Sequence, residues 1–134
     1  ELNDLTRYFS TLDGEEYRFV DRVEPALSAE ELSAAKKLFS RNYLNCTTCH
    51  IQAGQTPAGT ADRWAPDFAL AAQRLKPEWI IDWIGDPQAL LPGTRMPTFY
   101  PQATPPDILG GDPDYQIRVL RDYLLTIGQE IAGS

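Results

Sequence analysis

The chain contains two cysteines and one histidine, and all three stand together in Cys46-Thr47-Thr48-Cys49-His50. This is the C-x-x-C-H spacing of covalent c-type haem attachment. In that chemistry two thiols about one helical turn apart lie along one haem edge, and the histidine after the second is turned under the ring towards the iron. Three other uses of the same residues compete. A structural zinc site takes four protein ligands, so a carboxylate would have to complete a set of two Cys and one His. A thioredoxin-like dithiol belongs in a βαβ setting, and no run of β-branched strand residues surrounds this segment. A plain disulfide leaves the histidine unexplained.

A second axial ligand is sought next, and the chain offers one methionine, Met96, in Leu91-Pro92-Gly93-Thr94-Arg95-Met96-Pro97. A lone Met is more often core filler than a ligand. Here Pro92 and Pro97 stiffen the backbone on either side and Gly93 supplies a turn, a setting that can hold a thioether at a fixed place.

Helices must position these groups. Ser28 with Glu31 forms an S-x-x-E capping box after Pro25, and Leu32, Ala35, Phe39 and Tyr43 follow on one face of a helix that delivers the chain to Cys46. Residues 51–65, rich in Gly, Pro, Thr and Gln, read as a loop. A short helix is expected over 66–75, and Pro77 opens another through Trp79, Ile80, Trp83 and Ile84 until Gly85 and Pro87 stop it. The last helix starts at Asp112-Pro113, with Val119, Leu120, Tyr123, Leu124 and Ile127 at helical spacing up to Gly128. In the segment 1–27, Leu2, Leu5, Phe9 and Leu12 mark an amphipathic helix ended by Asp13-Gly14, expected to pack on the core or to dock on a partner or neighbouring domain.

The C-x-x-C-H segment after an N-terminal helix, the Pro92-to-Pro97 loop and the closing amphipathic helix together resemble the class I c-type cytochromes of bacteria. The resemblance covers about residues 28–131. It implies an all-α cytochrome c fold, with N- and C-terminal helices packed across one covalently bound haem c, as a domain over 28–134 preceded by an N-terminal helical extension over 1–27. Ala35 and Phe39 take the places where the family's N-terminal helix meets the C-terminal one, with Tyr123 and Leu124 as partners. The chain departs from the family in having about three extra residues near Asn42 to Leu44, and Ala35 where Gly is usual.

The resemblance also implies roles for side chains. Cys46 and Cys49 attach the haem, and His50 and Met96 are the iron ligands. His50 donates its other ring nitrogen to a proline carbonyl, with Pro57 the first choice and Pro66 the second. Arg63, Trp64, Arg74, Trp79 and Arg95 are candidate propionate donors, Arg95 foremost, and Asp67-Phe68 with Leu70 forms apolar wall. An iron with both axial positions taken changes oxidation state without turning over substrate. The expected function is therefore single-electron transfer between redox partners, in a respiratory chain, rather than enzymatic turnover. An open-site haem protein, binding gas or acting as a peroxidase, follows if Met96 is core filler. Haem proteins of the open-site, four-helix kind carry the motif near the C-terminus, however, whereas here it lies in the first half.

Composition sets the remaining bounds. The 134 residues are 43% hydrophobic and 23% charged, an ordinary globular mix for one domain with a modest core. A formal charge of -7 argues against nucleic acid and anionic membrane surfaces, and favours a redox partner with a basic docking face. No apolar run reaches the ~18 to 20 residues of a bilayer span. The first residue is Glu1, which fits a mature secreted form or a domain cut from a longer, membrane-bound protein. Since the family's thioethers are made outside the bacterial cytoplasm, the periplasm or the outer face of the cytoplasmic membrane is the expected location.

Overall fold

A computed structural model describes residues 2–13, 26–52 and 54–132. Its helices are α1 (Leu2–Asp13), α2 (Ala29–Phe39), α3 (Ala71–Arg74), α4 (Pro77–Gly85), α5 (Pro87–Leu90) and α6 (Pro113–Ala132), linked in part by short 3-10 turns. Among the described residues no strand forms, only two isolated bridges, so the fold class is all-α.

Helix α2 begins where the capping box places it. The Ser28 hydroxyl accepts the Glu31 backbone N–H (3.2 Å), and the Ser28 N–H donates to the Glu31 carboxylate (2.8 Å). The Ser28 bonds, backbone first, hold the Glu31 carboxyl below its ordinary 4.5. The helix stops at Phe39 and does not run on through Tyr43. Ser40 turns extended, the Leu44 N–H bonds back to the Leu38 carbonyl, and Asn45 adopts a left-handed φ of 55°. Residues Asn42 to Leu44 therefore belong to a turn that redirects the chain before Cys46. Tyr43, carried off the helix, donates to Asp107 at 2.6 Å.

Helix α6 is the centre of the fold, touching α2, α3, α4 and the 3-10 turn Phe68–Leu70. Asp112 caps it by accepting the Tyr115 N–H, and it continues through Gly128 to Ala132, past the end expected from sequence. It buries Ile117, Val119, Leu120, Tyr123, Leu124, Leu125 and Ile127 against Ala34, Ala35, Leu38 and Phe39 of α2 and Ile80 and Ile84 of α4. Phe39 sits edge-on between two rings, Tyr123 at 4.9 Å and Phe68 at 5.1 Å between centroids. Such contacts add ~0.5–1.5 kcal/mol each to plain burial. Gln116, fully buried on α6, has partners for every side it presents. It accepts the Tyr100 O–H at 3.1 Å and donates to the Pro105 and Ile108 carbonyls at 2.7 and 2.8 Å, which pins the stretch before α6 to the helix.

Two further expectations change. Pro87 does not simply end α4: Asp86 accepts the Ala89 N–H and Pro87 takes the first position of a new short helix, α5. The apolar stripe of α1 does not pack on the core, since Leu5, Phe9 and Leu12, with Tyr8, are each 57–63% exposed. Gly14 as the stop of α1, Pro25 and the stretch between them lie outside the described residues.

Candidate functional site

The segment Cys46–Thr48 is a single 3-10 turn, and the Cys49 and His50 N–H groups both return to the Cys46 carbonyl, at 3.3 and 3.0 Å. One tight turn thus carries all three groups of the motif. Both thiols are free; Cys46 packs against the core while Cys49 is exposed. Burial pushes the Cys46 thiol up to about 12, which keeps it protonated and quiet as a nucleophile. Tyr100, buried behind it, is raised above its ordinary value by burial first and by the nearby Cys46 second.

A second strip lies beside this turn. The Ala65 N–H donates to the Cys49 carbonyl (2.7 Å) and the Phe68 N–H to the Ile51 carbonyl (3.1 Å), so that His50 and Ala65 form a parallel bridge. The pairing fixes His50. Its Nδ1 meets the Pro66 carbonyl at 2.9 Å and its ring stacks on Phe68, with centroids 4.3 Å apart and planes 19° apart. The carbonyl partner is therefore that of Pro66 and not of Pro57. The bridge brings residue 66 against the imidazole, while Pro57 is buried in the loop between the strips. Burial lowers the His50 pKa, against the pull of the Pro66 carbonyl, and so favours a neutral imidazole. A neutral ring that donates from Nδ1 presents the Nε2 lone pair, the form in which histidine binds a metal.

Trp64 stands two residues before Pro66 with its indole N–H buried and unpaired among the described residues. An orphaned buried donor costs ~1–3 kcal/mol and marks a place where an acceptor belongs. Arg63, its neighbour, is exposed.

The third strip is the loop of Met96. Arg95 Nη1 reaches the Asp62 carbonyl at 3.4 Å, laying this loop against the 3-10 turn Ala61–Arg63 that precedes Trp64. On its other side Gln88 of α5 donates through Nε2 to the Thr94 and Met96 carbonyls (2.7 and 3.0 Å), and its Oε1 accepts the Gly93 N–H (3.2 Å). Gly93 takes a φ of 84°, open to glycine and strained for other residues. Met96 itself is half-buried.

The structure thus gathers Cys46, Cys49, His50, Arg63, Trp64, Pro66, Phe68, Arg95 and Met96 onto three adjoining strips. Trp79 lies on α4, 39% exposed and stacked face to face on Trp83 at 4.9 Å, and Arg74 is exposed at the end of α3. Sequence reading missed Gln88 and Tyr100. A lone glutamine carries no motif, although Asp86-Pro87 is itself a helix-start signal that would have placed it. Among the described residues no group of three or more His, Cys, Asp and Glu side chains converges as metal ligands would. No helix of the described residues is long and apolar enough to cross a membrane. In comparisons with known proteins, no family model and no curated protein matches the chain.

Proposed function

We propose that this chain is a monohaem class I c-type cytochrome that passes single electrons between redox proteins. The observation that carries the reading is the C-x-x-C-H turn itself, with His50 locked by Pro66 in the metal-binding tautomer and the orphaned Trp64 N–H two residues away. The crossing of α2 with α6 through Phe39 and Tyr123, directly before the motif, supports the corresponding cytochrome c fold.

Cys46 and Cys49 would hold the haem by thioether bonds, and His50 and Met96 would ligate its iron. Haem so held supplies a one-electron exchange between ferric and ferrous iron and leaves no coordination site for a substrate. The chain's own residues set the conditions. The Pro66 carbonyl orients the imidazole and raises its basicity; Phe68, stacked on the same ring, excludes water from that side. The Met96 thioether favours the reduced form, as does a dry surrounding. The Trp64 N–H and the guanidinium groups of Arg63 and Arg95 would supply donors for the propionates. The acidic surplus steers a partner with a basic docking face, by encounters that weaken with salt. Residues 28–134 are the electron-transfer domain, acting in a respiratory chain in the periplasm or on the outer face of the cytoplasmic membrane, alone or fused to a larger membrane-bound protein.

The test is the visible spectrum of the protein made with a haem-attachment system, oxidised, then reduced with ascorbate, then exposed to carbon monoxide. A low-spin ferrous spectrum, the weak far-red ferric band of Met ligation and no response to carbon monoxide are expected. A high-spin spectrum that shifts with carbon monoxide would replace the carrier by an open-site haem protein, and a chain that takes up no haem would overturn the reading.

A further inference from the structure

Gln88 is used by nothing described so far except the loop it holds, and it uses its whole amide to hold it. Both Nε2 hydrogens are spent on the carbonyls of Thr94 and Met96, and Oε1 takes the Gly93 N–H. One side chain therefore closes the turn from Gly93 to Met96. The base of this clamp is rigid as well. α5 is anchored by Asp86, which caps it through the Ala89 N–H and also accepts the Thr98 hydroxyl at 3.2 Å, just beyond Met96. Inside the turn two other contacts remain: the Thr94 N–H reaches the Leu91 carbonyl at 3.1 Å, and the Met96 N–H reaches the Thr94 hydroxyl at 3.4 Å. Without Gln88 the carbonyls of Thr94 and Met96 lose the donor that fixes them, and a loop of Pro, Gly and Thr can swing.

We infer that Gln88 is the positioning residue for Met96, the side chain that decides how firmly this thioether stays on the iron. The inference rests on the haem reading above and concerns a residue that touches neither metal nor porphyrin edge in that reading. Its signature is selective: losing the clamp frees the ligand loop and leaves the α2–α6 core, built from other residues, in place.

The experiment compares haem-loaded wild type, Gln88→Leu and Gln88→Glu. The Glu variant keeps the size and the acceptor for Gly93 but loses both donors, so it stays informative if the Leu variant folds poorly. In a urea titration the far-red ferric band and the helical circular dichroism are read from the same samples, and carbon monoxide binding to the ferrous protein is timed. Two lost hydrogen bonds in the Glu variant and three in the Leu variant, each of ordinary strength, set the scale: in both variants carbon monoxide binds at least about tenfold faster, and the far-red band vanishes at clearly lower urea than the helices. Band and carbon monoxide rate unchanged in both variants overturn the role of Gln88 alone, as does loss of band and helix together, which makes Gln88 merely structural. Wild type without the far-red band overturns the assignment of Met96 and the clamp with it, so the two failures are distinct.

Discussion

Replacing Trp64 by phenylalanine asks whether its buried N–H finds an acceptor in the haem-loaded protein, and the sign of the stability change gives the answer. Among the described residues the N–H has no partner, an arrangement that costs ~1–3 kcal/mol. If it remains orphaned, Trp64→Phe removes that penalty. The smaller ring gives back about 1 kcal/mol of burial, because Trp64 is only half-buried as a residue, and the variant comes out neutral to more stable by ~2 kcal/mol. If the N–H donates to a charged propionate, the variant loses a charge-assisted bond of ~1.5–3 kcal/mol together with the same burial, a net loss of about 2.5–4 kcal/mol. The two cases differ in sign. The assay is reversible urea unfolding of the haem-loaded proteins, with a thermal melt beside it, where the loss corresponds to a drop on the order of 10 °C for a domain of this size. The proposed function requires the loss. A Trp64→Phe protein at least as stable as wild type, with its haem in place, would refute the argument that the orphaned donor marks the haem site.

Met96→Ala in the haem-loaded protein is expected to open the iron to carbon monoxide and to lower the reduction potential, because the thioether is gone; an unchanged visible spectrum would show that Met96 is no ligand. Phe39→Ala is expected to cost about 3–5 kcal/mol in urea unfolding, since the ring is 5% exposed and wedged between Phe68 and Tyr123; a cost below ~1 kcal/mol would mean that the α2–α6 crossing does not rest on it. Glu31→Gln is expected to flatten the acid side of the stability profile. The Glu31 carboxyl is held below 4.5 by Ser28, so its contribution is complete above that value and lost as pH falls through the lower folded one, and wild type and variant should converge in acid; a constant gap between their unfolding midpoints from pH 6 to 3 would contradict this.

What could be read from residues alone followed from how local the physics was. Ser28 with Glu31, Pro77, and Asp112 with Pro113 are decided within one turn, and the helices start at those places. Their ends depend on longer reach. α2 stops at Phe39 because the Leu44 and Asn45 N–H groups find carbonyls back in the chain, and no periodicity of Leu32, Ala35, Phe39 and Tyr43 encodes that. α6 runs past Gly128, although a glycine there reads as a stop. The choice between Pro57 and Pro66 had the same character. Both are prolines after the motif, and only the pairing of residues 49–51 with 65–68, a contact between strips, brings one carbonyl to the imidazole.

The two glutamines Gln88 and Gln116 make the further point that polar side chains outside any motif can hold irregular segments in place. Gln116 takes three partners from the stretch before α6 and Gln88 takes three from the loop of Met96, and in both the amide replaces backbone hydrogen bonds that irregular segments rich in Pro and Gly cannot make for themselves. Helices satisfy their own backbone, so sequence period suffices to find them. Loops that must be held to a fraction of an ångström need a donor and acceptor from elsewhere, and a side-chain amide offers both on one planar group. The Pro66 carbonyl fixes the imidazole of the Cys46-to-His50 motif, while Gln88 and Gln116 hold the irregular segments 93–96 and 100–108.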